Sequence, residues 1–298
     1  MFATLLLSLS CMSPQQPLPP AKNPPELGVV AWQRDLDAVL QQRAERPVFL
    51  LFQEIPGCDT CTGFGKHVLS HPLLAEAIEQ CFVPVVVRNN VDGQEGAWRE
   101  RFAEPAWNNP VVRLLDADGK DVLPRAENLW TPHAISARMI AALEKAKQPV
   151  PEFLRIAHAE SDPAVTTVVF EMHCFWEGEA VLGALDGVVR TTSAFRDGAE
   201  VVEVTFRPAV ISRAKLTAHA QQNSCKPVAG DGVKAAPAKD QQHALGSTPF
   251  GKVELTPMQR TKVHADLTAG RDGMRWLSPK QCAAYAAVQA KANETPGK

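Results

Sequence analysis

Two stretches of the chain are apolar at nearly every position instead of at alternate ones: PVFLLFQ from Pro47 and FVPVVVR from Phe82. A strand without a polar face must be covered on both sides, which places it inside a sheet with packing above and below. Helical spacing surrounds these runs, over residues 33 to 45, over HPLLAEAIEQ from His71 and over 132 to 147. PVVRLLDADGKDVL reads as two strands joined around Asp118-Gly119. The predicted order is β-α-β-β-α.

That unit accounts for less than half of 298 residues, and a chain of this length is expected to divide into two domains. With 45 % apolar and 21 % charged residues and a net charge of -2, the chain has no basic face for nucleic acid. No apolar stretch reaches the roughly 20 residues of a membrane-spanning helix. Leu5 to Leu9 followed by Cys11 reads as a degenerate export or lipoprotein signal, although it lacks Lys or Arg before the apolar run. Cys11 is the candidate lipid anchor, and export to the periplasm or a membrane surface is the expectation. Six prolines from Pro14 to Pro25 favour extended chain, so residues 1–25 read as signal plus tether.

Seven cysteines are too sparse for a disulfide-stapled scaffold. Two of them, Cys58 and Cys61, stand in EIPGCDTCTGFG between the first strand and its helix. There Cys58 takes an exposed place at a helix amino terminus, where the dipole favours a thiolate, and Cys61 follows one turn later to resolve. This is dithiol redox chemistry. A zinc set of Cys58, Cys61, His67 and His71 competes with it, but Pro72 follows His71 and breaks the helix there, so His67 and His71 are not expected to share a face, and no metal site is expected. Cys81 reads as a core residue.

Residues 26–150, in this order of elements and with this motif, resemble the thioredoxin superfamily; the match itself runs from about 27 to 147. In that family a cis-proline packs against the disulfide and helps bind the partner chain, and Pro110 after Asn109 takes its place. The intervening Asp59-Thr60 departs from the family's usual pair.

Residues 148 to 163 hold three prolines and read as a connector to a second core. It opens with the β-branched strand AVTTVVF and continues directly into EMHCFWEGEA, in which Cys174 precedes Phe175 and Trp176. Residues 221–246 are polar and rich in glycine, alanine and proline, and read as a mobile insertion. SPKQC places Ser278 as a helix cap, Pro279 at the first helical position and Gln281 three after the cap, which puts Cys282 inside a closing helix as a packing residue.

HCFWEGEAVLGALDGVVRTTSAF, AEVVEVTFRPAVIS and, further on, STPFGKVELTPMQRTKVHADL and LSPKQ give the second domain, residues 163–298, a resemblance to the methionine sulfoxide reductase A family over roughly 163 to 216 and 247 to 285. The fold class expected is therefore an α/β thioredoxin-like domain followed by an α+β domain of that family. The resemblance implies that Cys174 attacks the sulfoxide sulfur of the S epimer, that Phe175, Trp176 and Phe195 wall the methyl group, and that a second thiol condenses with the sulfenic acid. Cys225 in QQNSCKP is the candidate resolving thiol, with Cys282 as its competitor.

His173 and Glu177 replace the glycines that flank the family signature, and the segment between Phe195 and Ala199 is too short for the loop expected to carry the family's proton-donating glutamate. The helper tyrosines are missing as well, since the chain has one tyrosine, Tyr285. Glu177 and His173 are the candidate substitutes. The expected partners are a methionine sulfoxide-containing peptide or protein and an external thiol reductant, with no cofactor beyond a dithiol. Two further readings stay open: a thiol-disulfide oxidoreductase with a catalytically impaired binding module, and an anchored adaptor with structural thiols.

Overall fold

The computed structural model describes residues 23–42, 45–107 and 110–294. The signal, Cys11, most of the proline-rich tether and Asn109, hence the isomer of the Asn109-Pro110 bond, lie outside the described residues. Among the described residues the fold is mixed α/β, with two sheets and ten α-helices.

The apolar runs behave as their composition requires. After α1 (Leu36–Gln41) come β1 (Val48–Gln53), α2 (Asp59–His67), α3 (Pro72–Cys81), β2 (Val83–Arg88), α4 (Gln94–Arg101), β3 (Val111–Leu115) and α5 (Pro132–Lys145). The sheet order is β2-β1-β3, with β2 parallel and β3 antiparallel to β1. Every residue of β1 is buried. Phe49 and Leu51 join one apolar cluster with Leu73, Leu74 and Ile135, while Leu50 and Phe52 join another with Leu36, Val39 and Trp98. Pro72 does start a new helix, with His71 as its cap.

The hairpin expected around Asp118-Gly119 is reduced to a turn and one bridge. Asp116 Oδ1 accepts from the amides of Asp118 and Lys120, and Gly119 supplies the positive φ of 75°. The ladder stops at the Leu115–Asp121 bridge, and Pro124, which has no N–H to donate, follows within three residues.

The segment expected as a connector contains a helix, α6 (Glu152–Glu160), whose Phe153, Leu154, Ile156, Ala157 and Ala159 are buried. Pro149 and Pro151 lie ahead of it, with Pro151 as its cap, where a ring costs the helix nothing. The cluster it joins also takes in Val189 and Met258 from further along the chain, so the apolar interior runs from the first sheet towards the second.

The second sheet is antiparallel in the order β7-β4-β6-β5-β8. Its strands are β4 (Thr166–Glu171), β5 (Val188–Arg196), β6 (Ala199–Phe206), β7 (Lys226–Val228) and β8 (Lys234–Ala235), with α7 (Phe175–Gly183), α8 (Arg213–Gln222), α9 (Pro257–Thr268) and α10 (Pro279–Glu294) around it. β5 and β6 meet through Asp197-Gly198, both at positive φ, the two-residue hairpin turn that matches strand twist. Residues 221–246, expected as a mobile insertion, carry β7 and β8 and the buried Gln242, whose amide and side chain donate to the Glu179 carboxylate at 2.9 and 2.8 Å. The capping box at α10 forms as read: Ser278 N–H donates to Gln281 Oε1 at 2.9 Å and Gln281 N–H to Ser278 Oγ at 3.3 Å.

Candidate functional site

Two thiol sites emerge, one in each half of the chain. In the first, β1 ends at Gln53, whose fully buried side-chain amide donates to the carbonyls of Glu26 at 2.7 Å and Cys61 at 3.1 Å. The amide of Gly57 donates to Glu26 Oε1 at 2.9 Å. These bonds tie the loop and the first turn of α2 to the strand. Cys58 is the cap of α2 and is exposed, Cys61 one turn on is fully buried, and their sulfurs are 3.5 Å apart.

The environments separate the two thiols. Slight burial works against the Cys58 thiolate, but hydrogen bonds from Cys61 and Thr60 outweigh it and hold Cys58 below its ordinary value. Burial first, then the neighbouring Cys58, pushes Cys61 up to about 12. The pair has the asymmetry of an attacking and a resolving thiol. Pro110 is buried, and its carbonyl accepts from Trp130 Nε1 at 3.1 Å. His67 and His71 do not join the thiols: His71 Nδ1 accepts from the amide of Leu74 as the cap of α3.

In the second site Cys174 is the cap residue of α7, in extended conformation and half-buried. It lines a cavity of about 150 Å³ together with Met172, His173, Glu177 and Cys225. At roughly 30 Å³ per water, that volume is about five waters, enough for the tip of one side chain. Cys225 is buried, which raises its thiol, and its sulfur lies 3.4 Å from the carbonyl of Asn223. The β7–β4 pairing, Lys226 against Glu171, brings it there. Gly178 leaves room at this wall for the Met172 side chain, whose Sδ would lie 1.9 Å from a Cβ placed there.

The three rings form their own cluster and none lines the cavity. Phe175 is buried, with its centroid 5.8 Å from Trp176 and 5.4 Å from Phe195, both edge-on. Phe195 is 37 % exposed. Trp176 stacks on His243 at 4.1 Å, and its Nε1 donates to the carbonyl of Asp240 at 3.0 Å. Cys282 is half-buried in an apolar cluster around α10, as the packing reading expects.

One residue was missed in the sequence. Glu200 Oε2 accepts from the amide of Phe175 at 2.7 Å, which sets a carboxylate against the first turn of α7, next to Cys174. The signal was available: the two-residue turn pairs Arg196 with Ala199 and therefore Phe195 with Glu200. Glu179, on the buried face of the same helix and pushed up by burial, is engaged with Gln242.

No family model matches the chain, and no curated protein sequence matches it. Among solved structures, methionine sulfoxide reductase A of Corynebacterium diphtheriae matches 41 % of this chain and 68 % of that one, with 14 % identity and a TM-score of 0.22.

Proposed function

We propose that the chain is a thiol-dependent reductase of methionine sulfoxide, S epimer, in peptides or proteins, recycled by its own Cys58–Cys61 dithiol. The observation that carries this reading is that Cys174 and Cys225 line one cavity with Glu177 and His173, while the Glu200 carboxylate sits on the adjoining helix turn.

The steps balance as follows. The Cys174 thiolate attacks the sulfoxide sulfur, a carboxylic acid protonates the departing oxygen, and transfer of that oxygen to Cys174 leaves a sulfenic acid and a thioether. The Cys225 thiol then displaces water to form a Cys174–Cys225 disulfide. Cys58 attacks this disulfide, Cys61 resolves the mixed intermediate, and an external dithiol reduces the resulting Cys58–Cys61 bond. In sum, one sulfoxide and two thiols become one thioether, one disulfide and water. Glu200 is the proton donor in this scheme, with Glu177 as the alternative on the cavity wall.

A second reading has a specific observation in its favour. Because none of the three rings lines the cavity, the apolar seat for the sulfoxide methyl group is not in place beside Cys174, which suits a thiol-disulfide oxidoreductase whose second site only binds. A racemic sulfoxide peptide with dithiothreitol separates the two. Loss of one epimer that disappears in Cys174→Ser supports reduction; no loss, with insulin reduction that needs Cys58 but not Cys174, supports the second reading.

A further inference from the structure

The loop after β1 brings a third donor to the two sulfurs, one that neither thiol reading employs. Glu54 follows β1 directly, half-buried, and a carboxylate oxygen of Glu54 and the sulfurs of Cys58 and Cys61 all lie within 4.8 Å of one another. Among the described residues this is the one group of three or more His, Cys, Asp or Glu side chains gathered so closely.

The spacing is that of a reduced pair joined by a thiol hydrogen bond, and it lies close to what a metal requires. A disulfide needs about 2.05 Å between sulfurs, well short of the 3.5 Å found here. Tetrahedral zinc, at about 2.3 Å from sulfur and 2.1 Å from oxygen, calls for about 3.8 Å between two sulfurs and about 3.6 Å from sulfur to oxygen. Side-chain rotations of a few tenths of an ångström for the sulfurs, and up to about 1 Å for the carboxylate, satisfy those distances. The backbone needs no movement, because the strand end and the helix turn are already joined through Gln53. The Ile55 amide donates to Asn90 Oδ1 at 3.3 Å, which fixes the chain just past Glu54.

We propose that the reduced Cys58–Cys61 pair and Glu54 form a three-ligand site for a thiophilic divalent cation of the zinc class, its fourth position open on the exposed side of Cys58. Binding replaces two thiol protons, which go to solvent, and moves no electrons. A disulfide of the chain or of another thiol compound, taking up the two electrons and leaving as two thiols, converts the pair to the Cys58–Cys61 disulfide, which contracts the sulfurs and releases the ion, so metal and disulfide exclude each other. The site does not depend on sulfoxide reduction at Cys174, and its test is separate from that reading.

The test uses the reduced full-length chain titrated with zinc sulfate against a chromophoric chelator, with cobalt(II) as the spectroscopic probe. The expected result is one tightly bound ion per chain, two protons released, and a thiolate-to-cobalt charge-transfer band that is lost in Cys58→Ser. Cys174→Ser should bind as the parent does. Glu54→Gln should weaken affinity by at least the 10- to 100-fold that loss of a supporting contact costs at metal sites, with Glu54→Asp recovering part of it. Parent-like affinity in Glu54→Gln, or binding that survives Cys58→Ser, overturns the proposal. The sulfoxide assay with dithiothreitol is run on the same preparations, so that failure of either idea is seen independently of the other.

Discussion

Replacing Glu200 with glutamine changes one oxygen for an amide nitrogen at the junction of β6, β4 and α7. The structural cost is small. The remaining amide oxygen still accepts from the Phe175 N–H now bonded at 2.7 Å, so the hydrogen bond survives and the structural loss is at most the attraction between an acidic side chain and a helix amino terminus, about 0.3–1 kcal/mol. Positioned general-acid catalysis contributes about 10²- to 10⁴-fold, or roughly 3–5 kcal/mol in barrier. Chemistry and stability should therefore separate by several kcal/mol in a single variant. The measurement is single-turnover release of the thioether from a sulfoxide peptide, alongside thermal unfolding of the same sample. Glu200→Gln should slow the first step at least 100-fold, with a melting temperature within a few degrees of the parent. A single-turnover rate within threefold of the parent refutes Glu200 as the proton donor, and the same loss in Glu177→Gln instead transfers the role to the cavity wall.

Iodoacetamide at pH 8 should label Cys58 long before Cys61, whose thiol is raised to about 12 and fully buried; equal labelling by peptide mass would contradict the asymmetry. Burial holds His71, His158 and His264 below their ordinary value, so each stays neutral in the fold while the unfolded chain takes up protons first. The stability they allow is complete above about pH 6.5 and falls as pH drops through their folded values; melting between pH 7.5 and 5 should show it. His264 has a structural reason to resist protonation, since its Nδ1 accepts from the Ala244 amide while Nε2 faces the Trp176 carbonyl, and His264→Gln should flatten the profile. Gly178→Ala gains helix propensity and displaces the flexible end of the Met172 side chain instead of backbone, so the melting temperature should stay within a few degrees of the parent while alkylation or turnover at Cys174 slows through the altered cavity wall.

What could be read in advance depended on how local the cause was. The buried β1 followed from an unbroken apolar run, and the start of α3 and the cap of α10 from Pro72 and from Ser278 with Gln281, signals that lie within four residues of the structure they specify. The helix α6 was hidden because proline marks both a linker and a helix start, and only the apolar spacing from Phe153 to Ala157 decides between them. α4 is charged at half of its positions and rests on one buried ring, Trp98, whose Nε1 donates to Asp37 Oδ2 at 2.8 Å across 61 residues. No periodicity announces such a helix. At the second site the adjacency of Cys174 and Cys225 depends on β7 joining the edge of β4, and Trp176 is held by its stack on His243, 67 residues further along; both are long-range events that short windows of sequence do not contain.

The tight Asp197-Gly198 connection ties chemistry to chain length. One residue inserted there would send the carboxylate of Glu200 to the opposite side of the sheet, and two would restore the side but carry it about 7 Å along the strand. In this chain the place of that carboxylate against α7 is held together with the two-residue length of the turn.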